Sequence, residues 1–241
     1  MRALALAAVI LSLTLPGLAH AEAGCAVPPA LALPNLKLPH ARSLVHARHT
    51  LVVLAVGSAP TLGAAADGAA FSYPSRLEVR LSALLPGVAV AVLNQGAAHR
   101  STQSMARHLS EMVAESGARL VLWETGGREV SRGMNVDSYA SEVQLGLDEI
   151  QSAGADAILL DLQYTPGMMR LAPIDAYRQV IHDAAANSGV AVFQRYELMI
   201  DWAQHGLTLN PTDSAARVPA ARRLYDCIAA ALAQAIAPAV R

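Results

Sequence analysis

The chain has 241 residues, a formal net charge of −1 at pH 7 and no cluster of basic residues. This charge pattern gives no electrostatic footprint for nucleic acid or for an anionic lipid surface, so neither is an expected partner. Beyond an N-terminal leader about 220 residues remain, which suits one α/β domain better than two.

Residues 1–21 have the pattern of a secretory signal peptide. A basic second residue precedes the apolar run Ala3–Leu15, and an A-x-A cleavage pattern follows. A membrane span is one alternative, but the run is shorter than the roughly 20 apolar residues that a span needs and is broken at Pro16-Gly17. A lipoprotein signal ending at Cys25 is a second alternative, which the charge of Glu22 fits poorly. We therefore predict a periplasmic or secreted protein that does not span a membrane.

Cys25 and Cys227 are the two cysteines of the chain, one near each end of the mature protein. The predicted compartment permits disulfides, so we expect these residues to pair. A bridge that encloses about 200 residues would restrict the unfolded chain and contribute on the order of 4 to 5 kcal/mol in the loop-entropy model. The alternative is a pair of unbonded, buried thiols.

Residues 22–49 are rich in Pro, Leu and Ala and show no clean period, which predicts an arm lying over the domain. Three histidines in this arm, His40, His46 and His49, raise the possibility of a metal site. They are irregularly placed and lack neighbouring carboxylates or cysteines, so surface histidines are the favoured interpretation. We expect no metal ion or other cofactor.

Residues 50–241 form the predicted domain, in which short apolar runs alternate with amphipathic segments. The predicted strands are Thr50–Val56, Val88–Leu93, Arg119–Trp123, Ala157–Leu162 and Val190–Phe193. The predicted helices are Tyr73–Leu84, Thr102–Ser116, Val136–Ala153, Ile174–Asn187 and Arg222–Ile236. Strands that are apolar on both faces and alternate with helices indicate a parallel sheet covered on both sides. We therefore predict a flavodoxin-like α/β/α sandwich with about five parallel strands.

Functional sites in such sheets lie beyond the carboxyl ends of the strands. Four segments follow predicted strands and are candidates for that position. They are Gly57-Ser58-Ala59, Asn94-Gln95-Gly96, Glu124-Thr125-Gly126-Gly127-Arg128 and Gln163-Tyr164-Thr165-Pro166.

In order and spacing, roughly residues 50–205 resemble the SGNH (GDSL-type) hydrolases. The resemblance implies that Ser58 is the nucleophile and that its N–H, together with that of Gly96, binds the oxyanion. In the third block the family has G-x-N, whose asparagine is a further oxyanion donor, and Arg128 stands at that position. The structural alternative is that Ser58 caps the next helix, which Pro60 would suit.

The last family block is D-x-x-H, which supplies the acid and the base. In the best-aligned segment Leu207 replaces the acid and Asn210 the base. A serine needs a neighbouring base, and asparagine does not accept its proton. His205, four residues after Asp201, is the best replacement base, although a solvated helical pair is the alternative interpretation. The weaker candidates are His99, His108 and His182.

Three functional hypotheses follow from these residues and this resemblance. The favoured one is a catalytically impaired, exported SGNH-like protein that binds an acylated carbohydrate or another envelope ligand in the former active-site cleft. The second is an active serine esterase or O-acyl hydrolase or transferase that uses Ser58 and a relocated base such as His205. The third is a structural or assembly subunit with an envelope protein as its partner.

Overall fold

A parallel β-sheet forms the centre of the molecule in this computed structural model, which describes residues 24–165, 167 and 173–241. The predicted signal peptide at residues 1–21 lies outside them. Within the described residues the strands are β1 (Thr50–Gly57), β2 (Ala89–Gly96), β3 (Leu120–Glu124), β4 (Asp156–Leu160) and β5 (Ala191–Phe193). Their order is β2-β1-β3-β4-β5, and all neighbours are parallel. The predicted fold class is confirmed, and this strand order is the flavodoxin-like one.

Helices cover both faces of this sheet. They are α1 (Pro39–Arg48), α2 (Ala59–Leu62), α3 (Tyr73–Leu84), α4 (Thr102–Ala106), α5 (Leu109–Ser116), α6 (Gly127–Arg132), α7 (Val136–Ser152), α8 (Ile174–Ser188), α9 (Arg195–Gln204) and α10 (Arg217–Val240). One apolar cluster unites α1, α3 and α10 with Leu51 and Val53 of β1. A second cluster unites α5, α7 and α8 with Leu54 and Val56. Alternate residues of β1 thus enter opposite clusters, which is why the strand is apolar along its length.

The N-terminal arm contains a helix, α1, that the sequence pattern did not predict. It begins at Pro39, whose ring suits the first turn of a helix. The N–H of Ala41 donates to Oδ2 of Asp156 at 2.9 Å. Asp156 comes 115 residues later and opens β4. The contact that holds the start of α1 is therefore a tertiary one, for which the local sequence carries no signal.

Other helix boundaries also differ from the prediction. The helix predicted at Thr102–Ser116 is divided into α4 and α5. The buried residues Met105, Leu109 and Val113 keep a spacing of four across the division, so the apolar pattern does not reveal it. The helix predicted from Arg222 begins earlier, since α10 starts at Arg217 after a 3-10 turn at Ser214–Ala216. The sequence pattern also missed α9.

The edge strand β2 is covered by a side chain from α3. The N–H of Val92 donates to Oε2 of Glu78 at 2.7 Å. A backbone donor that has no neighbouring strand to pair with is thereby satisfied by a carboxylate. None of the helices in the described part of the chain combines the length and the apolar character needed to cross a bilayer.

The structure contains the predicted disulfide between Cys25 and Cys227, whose Cα atoms are 5.4 Å apart. The bridge fastens the start of the described chain to α10. Close by, Nε1 of Trp202 donates to the carbonyl of Ala26 at 2.8 Å. The beginning of the arm is therefore held by one covalent bond and one partly buried hydrogen bond.

We expect Cys25→Ser in the mature protein to lower the free energy of unfolding by about 2 to 5 kcal/mol, because the unfolded chain regains the freedom that the closed loop removes. Urea unfolding followed by circular dichroism measures this change. Cys227→Ser should behave identically, and a reductant should shift the wild-type midpoint but not that of either variant. A wild-type midpoint that is insensitive to reductant would contradict a stabilising bridge.

Candidate active site around Ser58

In the strand order, β2 lies on one side of β1, and β3, β4 and β5 follow on the other side. The chain connections from β1 and from β3 therefore lead in opposite directions along the sheet. Adjacent loops diverge there, so a crevice forms at the carboxyl ends of the two strands. Val56 pairs with Trp123 across these strands. Ser58, two residues after Val56, and Glu124, directly after Trp123, therefore meet at the crevice.

Glu124 accepts three hydrogen bonds from the segment that follows β1. The Ser58 hydroxyl donates to Oε1 at 2.9 Å and the Ser58 N–H donates to Oε2 at 3.0 Å. The Thr61 hydroxyl donates to Oε2 at 2.7 Å. A Cβ at Gly57 would lie 2.6 Å from Oε2, so glycine is required there. Ser58 occupies the N-cap position of α2 and Pro60 lies in its first turn, but the Ser58 side chain makes no capping bond.

A buried arginine balances the charge of Glu124, which is only 2% exposed. Nη2 of Arg195 lies 3.9 Å from Oε1 of Glu124, and its Nε donates to the carbonyl of Asp161 at 2.9 Å. The Tyr73 hydroxyl lies 3.3 Å from Oγ1 of Thr61. Burial raises the pKa of Tyr225 to about 12 and that of Tyr73 further, so both hydroxyls stay protonated. The serine therefore sits on a buried polar network.

This network continues outward through Asp161, which is fully buried at the end of β4. Its Oδ2 lies 3.1 Å from Nε of Arg178 and 3.5 Å from Nε2 of His182. Nη2 of Arg178 in turn lies 2.9 Å from Oε1 of Glu197. Carboxylates and guanidinium groups thus alternate from the serine to the surface. His182 contacts this row of charges and makes no hydrogen bond to Ser58.

The second predicted oxyanion donor also has an acceptor within the protein. The Gly96 N–H donates to Oδ1 of Asn94 at 2.9 Å. Nδ2 of Asn94 donates to the carbonyl of Thr61 at 2.9 Å and to Oγ of Ser72 at 3.1 Å, which fixes the amide. Both backbone donors that the family resemblance assigns to an oxyanion are therefore engaged. Nη1 of Arg128, at the third position, donates to the carbonyl of His99.

The cleft at Ser58 has a volume of about 210 Å³ and is lined by Ser58, Ala59, His99, Gly127, Arg128, Ser131 and Arg132. The histidine that shares this cleft with the serine is His99, and not His205. The side chain of His205 is 67% exposed, and its Nδ1 lies 3.5 Å from Oδ2 of Asp201. Their predicted pairing on one helical face is present, and no hydrogen bond joins His205 to Ser58.

The two residues aligned with the last family block lie in unlike surroundings. Leu207 packs into the apolar cluster beneath α10, and Asn210 is exposed to solvent. Within the described residues no group of three or more His, Cys, Asp or Glu side chains is arranged to hold a metal ion.

A second cleft, of about 410 Å³, adjoins the first and shares Arg128 and Arg132 with it. Its lining residues are Ser101, Gln103, Arg128, Glu129, Arg132, Met134 and Glu142. Oε1 of Glu129 accepts a hydrogen bond from the N–H of Thr102 at 2.8 Å. Burial, followed by the nearby charge of Glu129, raises the pKa of Glu142. The nearby backbone of Gln103 and the charge of Arg107 lower this pKa in turn without cancelling the increase.

A sequence profile of the non-GDSL lipase-like family matches residues 24–241. The chain belongs to the non-GDSL lipase-like family. This family member shares the SGNH hydrolase fold with several solved structures. It is 21% identical to TesA, with a TM-score of 0.59 over 75% of this chain and 97% of TesA. No curated protein sequence matches it.

Two further solved structures share the fold at similar identity. A lipase/acylhydrolase from Enterococcus faecalis is 19% identical, with a TM-score of 0.64 over 78% of this chain and 96% of its own. A catalytic mutant of Axe2, an acetylxylan esterase from Geobacillus stearothermophilus, is 18% identical, with a TM-score of 0.63 over 77% and 94%. The predicted SGNH fold of this non-GDSL lipase-like protein is confirmed.

Sequence reasoning missed the roles of Glu124, Asp161 and Arg195 in this family member. The signal for the two carboxylates was present, because each lies at or just after the end of a strand that is otherwise apolar on both faces. A charged residue so placed must be compensated when it is buried. Arg195 follows β5 in the same way. The identity of each partner, however, is a property of the folded sheet.

Replacing Glu124 with Ala should lower the free energy of unfolding by about 3 to 5 kcal/mol, because it leaves the Arg195 guanidinium buried without its counter-charge. The matched control is Glu197→Ala, which removes a carboxylate that is 40% exposed from the same row of charges. That change should cost less than about 1 kcal/mol. Chemical denaturation measures both, and equal losses would contradict a central role for Glu124.

Glu142→Gln should stabilise the protein at pH 7 by about 0.5 to 1 kcal/mol. Because the fold raises the pKa of Glu142, ionisation is less favourable in the folded than in the unfolded state. This penalty is present above the folded-state pKa and disappears below the ordinary value of 4.5. Urea unfolding at pH 7, 5.5 and 4 should show that the stabilisation by Glu142→Gln becomes smaller as the pH falls. Glu115→Gln, at an exposed position on α5, is the control and should show no such trend.

Proposed function

We propose that this chain is an exported SGNH-fold protein with an impaired serine centre, which binds an acylated carbohydrate or another envelope ligand or partner in the Ser58 cleft. The observation that carries the proposal is that Ser58 donates both its hydroxyl and its N–H to the Glu124 carboxylate. A catalytic serine needs the first group for attack and the second for stabilising the oxyanion.

The Glu124 carboxylate opposes acyl transfer through its charge. A tetrahedral intermediate on Ser58 would develop negative charge close to the N–H that Oε2 of Glu124 already accepts. Two like charges about 4 Å apart repel by about 4 kcal/mol at an effective dielectric constant near 20. A carboxylate is also a much weaker base than an imidazole, so Glu124 is a poor substitute for the missing histidine.

The other family positions support the same conclusion. The Gly96 N–H is engaged by Asn94, and the long side chain of Arg128 is tied to the His99 carbonyl. The buried Leu207 cannot orient a base, and Asn210 cannot act as one. Each of these losses alone would slow turnover by orders of magnitude.

The ligand class and the export rest on separate observations. Axe2, which shares the fold, is an acetylxylan esterase, and this supports an acylated carbohydrate as the class of ligand. The polar lining of the Ser58 cleft fits such a ligand. Export is supported by the signal pattern of residues 1–21 and by the disulfide between Cys25 and Cys227.

One observation favours a second candidate function, an active serine esterase or O-acyl hydrolase or transferase. His99 lines the same cleft as Ser58, whereas His205 is paired with Asp201 elsewhere. A shift of the Ser58 hydroxyl from Glu124 toward His99 would provide a relocated base. In this candidate His99 replaces the His205 that the sequence suggested.

Hydrolysis of p-nitrophenyl acetate and of acetylated xylooligosaccharides tests the proposal. We expect the mature wild-type protein and Ser58→Ala to show the same background rate, because Ser58 lacks both a base and a free oxyanion donor. Ser131→Ala, which removes a hydroxyl from the same cleft, is the matched control.

Turnover that is lost in Ser58→Ala and retained in Ser131→Ala would overturn the proposal in favour of the esterase. His99→Ala and His205→Ala would then identify the base, since only the variant that lacks it should lose activity.

A further inference from the structure

The Ser58 cleft and the second cleft adjoin at Arg128 and Arg132, which line both. We call the two adjoining clefts together the arginine groove. Most of its lining side chains are polar or charged, and the apolar ones are Ala59 and Met134. Long acyl chains require a predominantly apolar pocket, so this lining fits a ligand that is polar throughout.

The two arginines provide positive charge that no carboxylate in the described part of the chain pairs with. No carboxylate of the described residues lies within the 4.0 Å of an ion pair from either guanidinium. Arg128 is oriented by its hydrogen bond to the His99 carbonyl, and Arg132 is exposed at the end of α6. Guanidinium groups of this kind bind carboxylates through paired, charge-assisted hydrogen bonds.

At the other end of the arginine groove, Glu142 offers an acceptor that the protein leaves unused. Glu142 is only 8% exposed, and its Oε2 is buried without a hydrogen-bond partner among the described residues. Its neighbour Glu129 is 3% exposed and already accepts the N–H of Thr102. A buried acceptor without a donor costs free energy, and a ligand hydroxyl that reaches it would recover this loss.

We propose that the arginine groove binds an acidic saccharide, with its carboxylate on Arg128 and Arg132 and a hydroxyl donated to Glu142. This inference rests on the proposed ligand-binding function and specifies its ligand class. A sugar acid carries both groups on one rigid ring, which matches a groove whose two arginines line both clefts and whose second cleft also contains Glu142. A simple anion would satisfy the arginines alone, and a neutral sugar would satisfy Glu142 alone.

Isothermal titration calorimetry with trigalacturonate tests this assignment, beside its methyl ester and the neutral maltotriose. We expect trigalacturonate to bind at least about tenfold more tightly than either, because only it offers carboxylates to the arginines. Added salt should weaken its binding through screening.

Two variants and one matched control locate the site. Arg132→Ala should weaken trigalacturonate binding about tenfold, and it spares the hydrogen bond that Arg128 makes to His99. Arg48→Ala removes the same charge from an exposed position on α1 and should change nothing. Glu142→Gln should weaken binding several-fold, because an amide nitrogen at the Oε2 position cannot accept the ligand hydroxyl.

Equal affinity for the acid and its methyl ester, or no binding of trigalacturonate, would overturn the inference. Inorganic sulfate that binds as tightly as trigalacturonate, with Glu142→Gln unchanged, would show a general anion site and overturn it as well.

The ester assay separates this inference from the proposed function. Turnover that depends on Ser58, with acid binding intact, would refute the impaired serine centre and leave the ligand class standing. Binding of a neutral acetylated saccharide that Arg132→Ala leaves unchanged would refute the ligand class and leave the ligand-binding function standing.

Discussion

Glu124 carries a buried carboxylate at the end of the central strand β3, and groups from several elements compensate its charge and satisfy its oxygens. The segment after β1 donates three hydrogen bonds to it, and Arg195 at the start of α9 supplies the opposing charge. The backbone carbonyl of Asp161 accepts a hydrogen bond from Arg195, and the Asp161 carboxylate pairs with Arg178. Because a buried charge is tolerated only when it is paired and hydrogen-bonded, the positions of these elements are mutually dependent.

The same constraint is compatible with the proposed impairment of the serine centre, because the fold gains stability from the groups involved. A catalytic serine centre keeps donors unsatisfied so that they can stabilise charge in the transition state, and this arrangement costs stability. In this protein Glu124 and Asn94 satisfy the corresponding donors in the resting state. These donors therefore stabilise the folded site and are not free to bind an oxyanion.

Much of the fold could be predicted because the apolar pattern of a buried parallel sheet is local. Strands and most helices were found at or near their positions, and the segments after β1 and β3 were among the four that the sequence offered as candidates for the site. The rest depends on contacts between distant residues. Asp156 holds the start of α1 from 115 residues away, and Ser58 meets Glu124 across 66 residues. Spacing along the chain likewise favoured His205, whereas the folded loops bring His99 into the Ser58 cleft.

The contact between Glu78 and the outer strand β2 covers an edge of the sheet at which a strand of another molecule could otherwise pair. An eight-residue strand at the edge of a sheet is a ready template for a strand of another molecule, especially with Leu93 37% exposed on it. A strand that docked there would have to displace a carboxylate already bonded to Val92 and strip it of water. At the opposite edge β5 has three residues, too few to template much pairing. A charged side chain therefore protects one edge of the sheet, and the other edge strand is too short to pair extensively with another molecule.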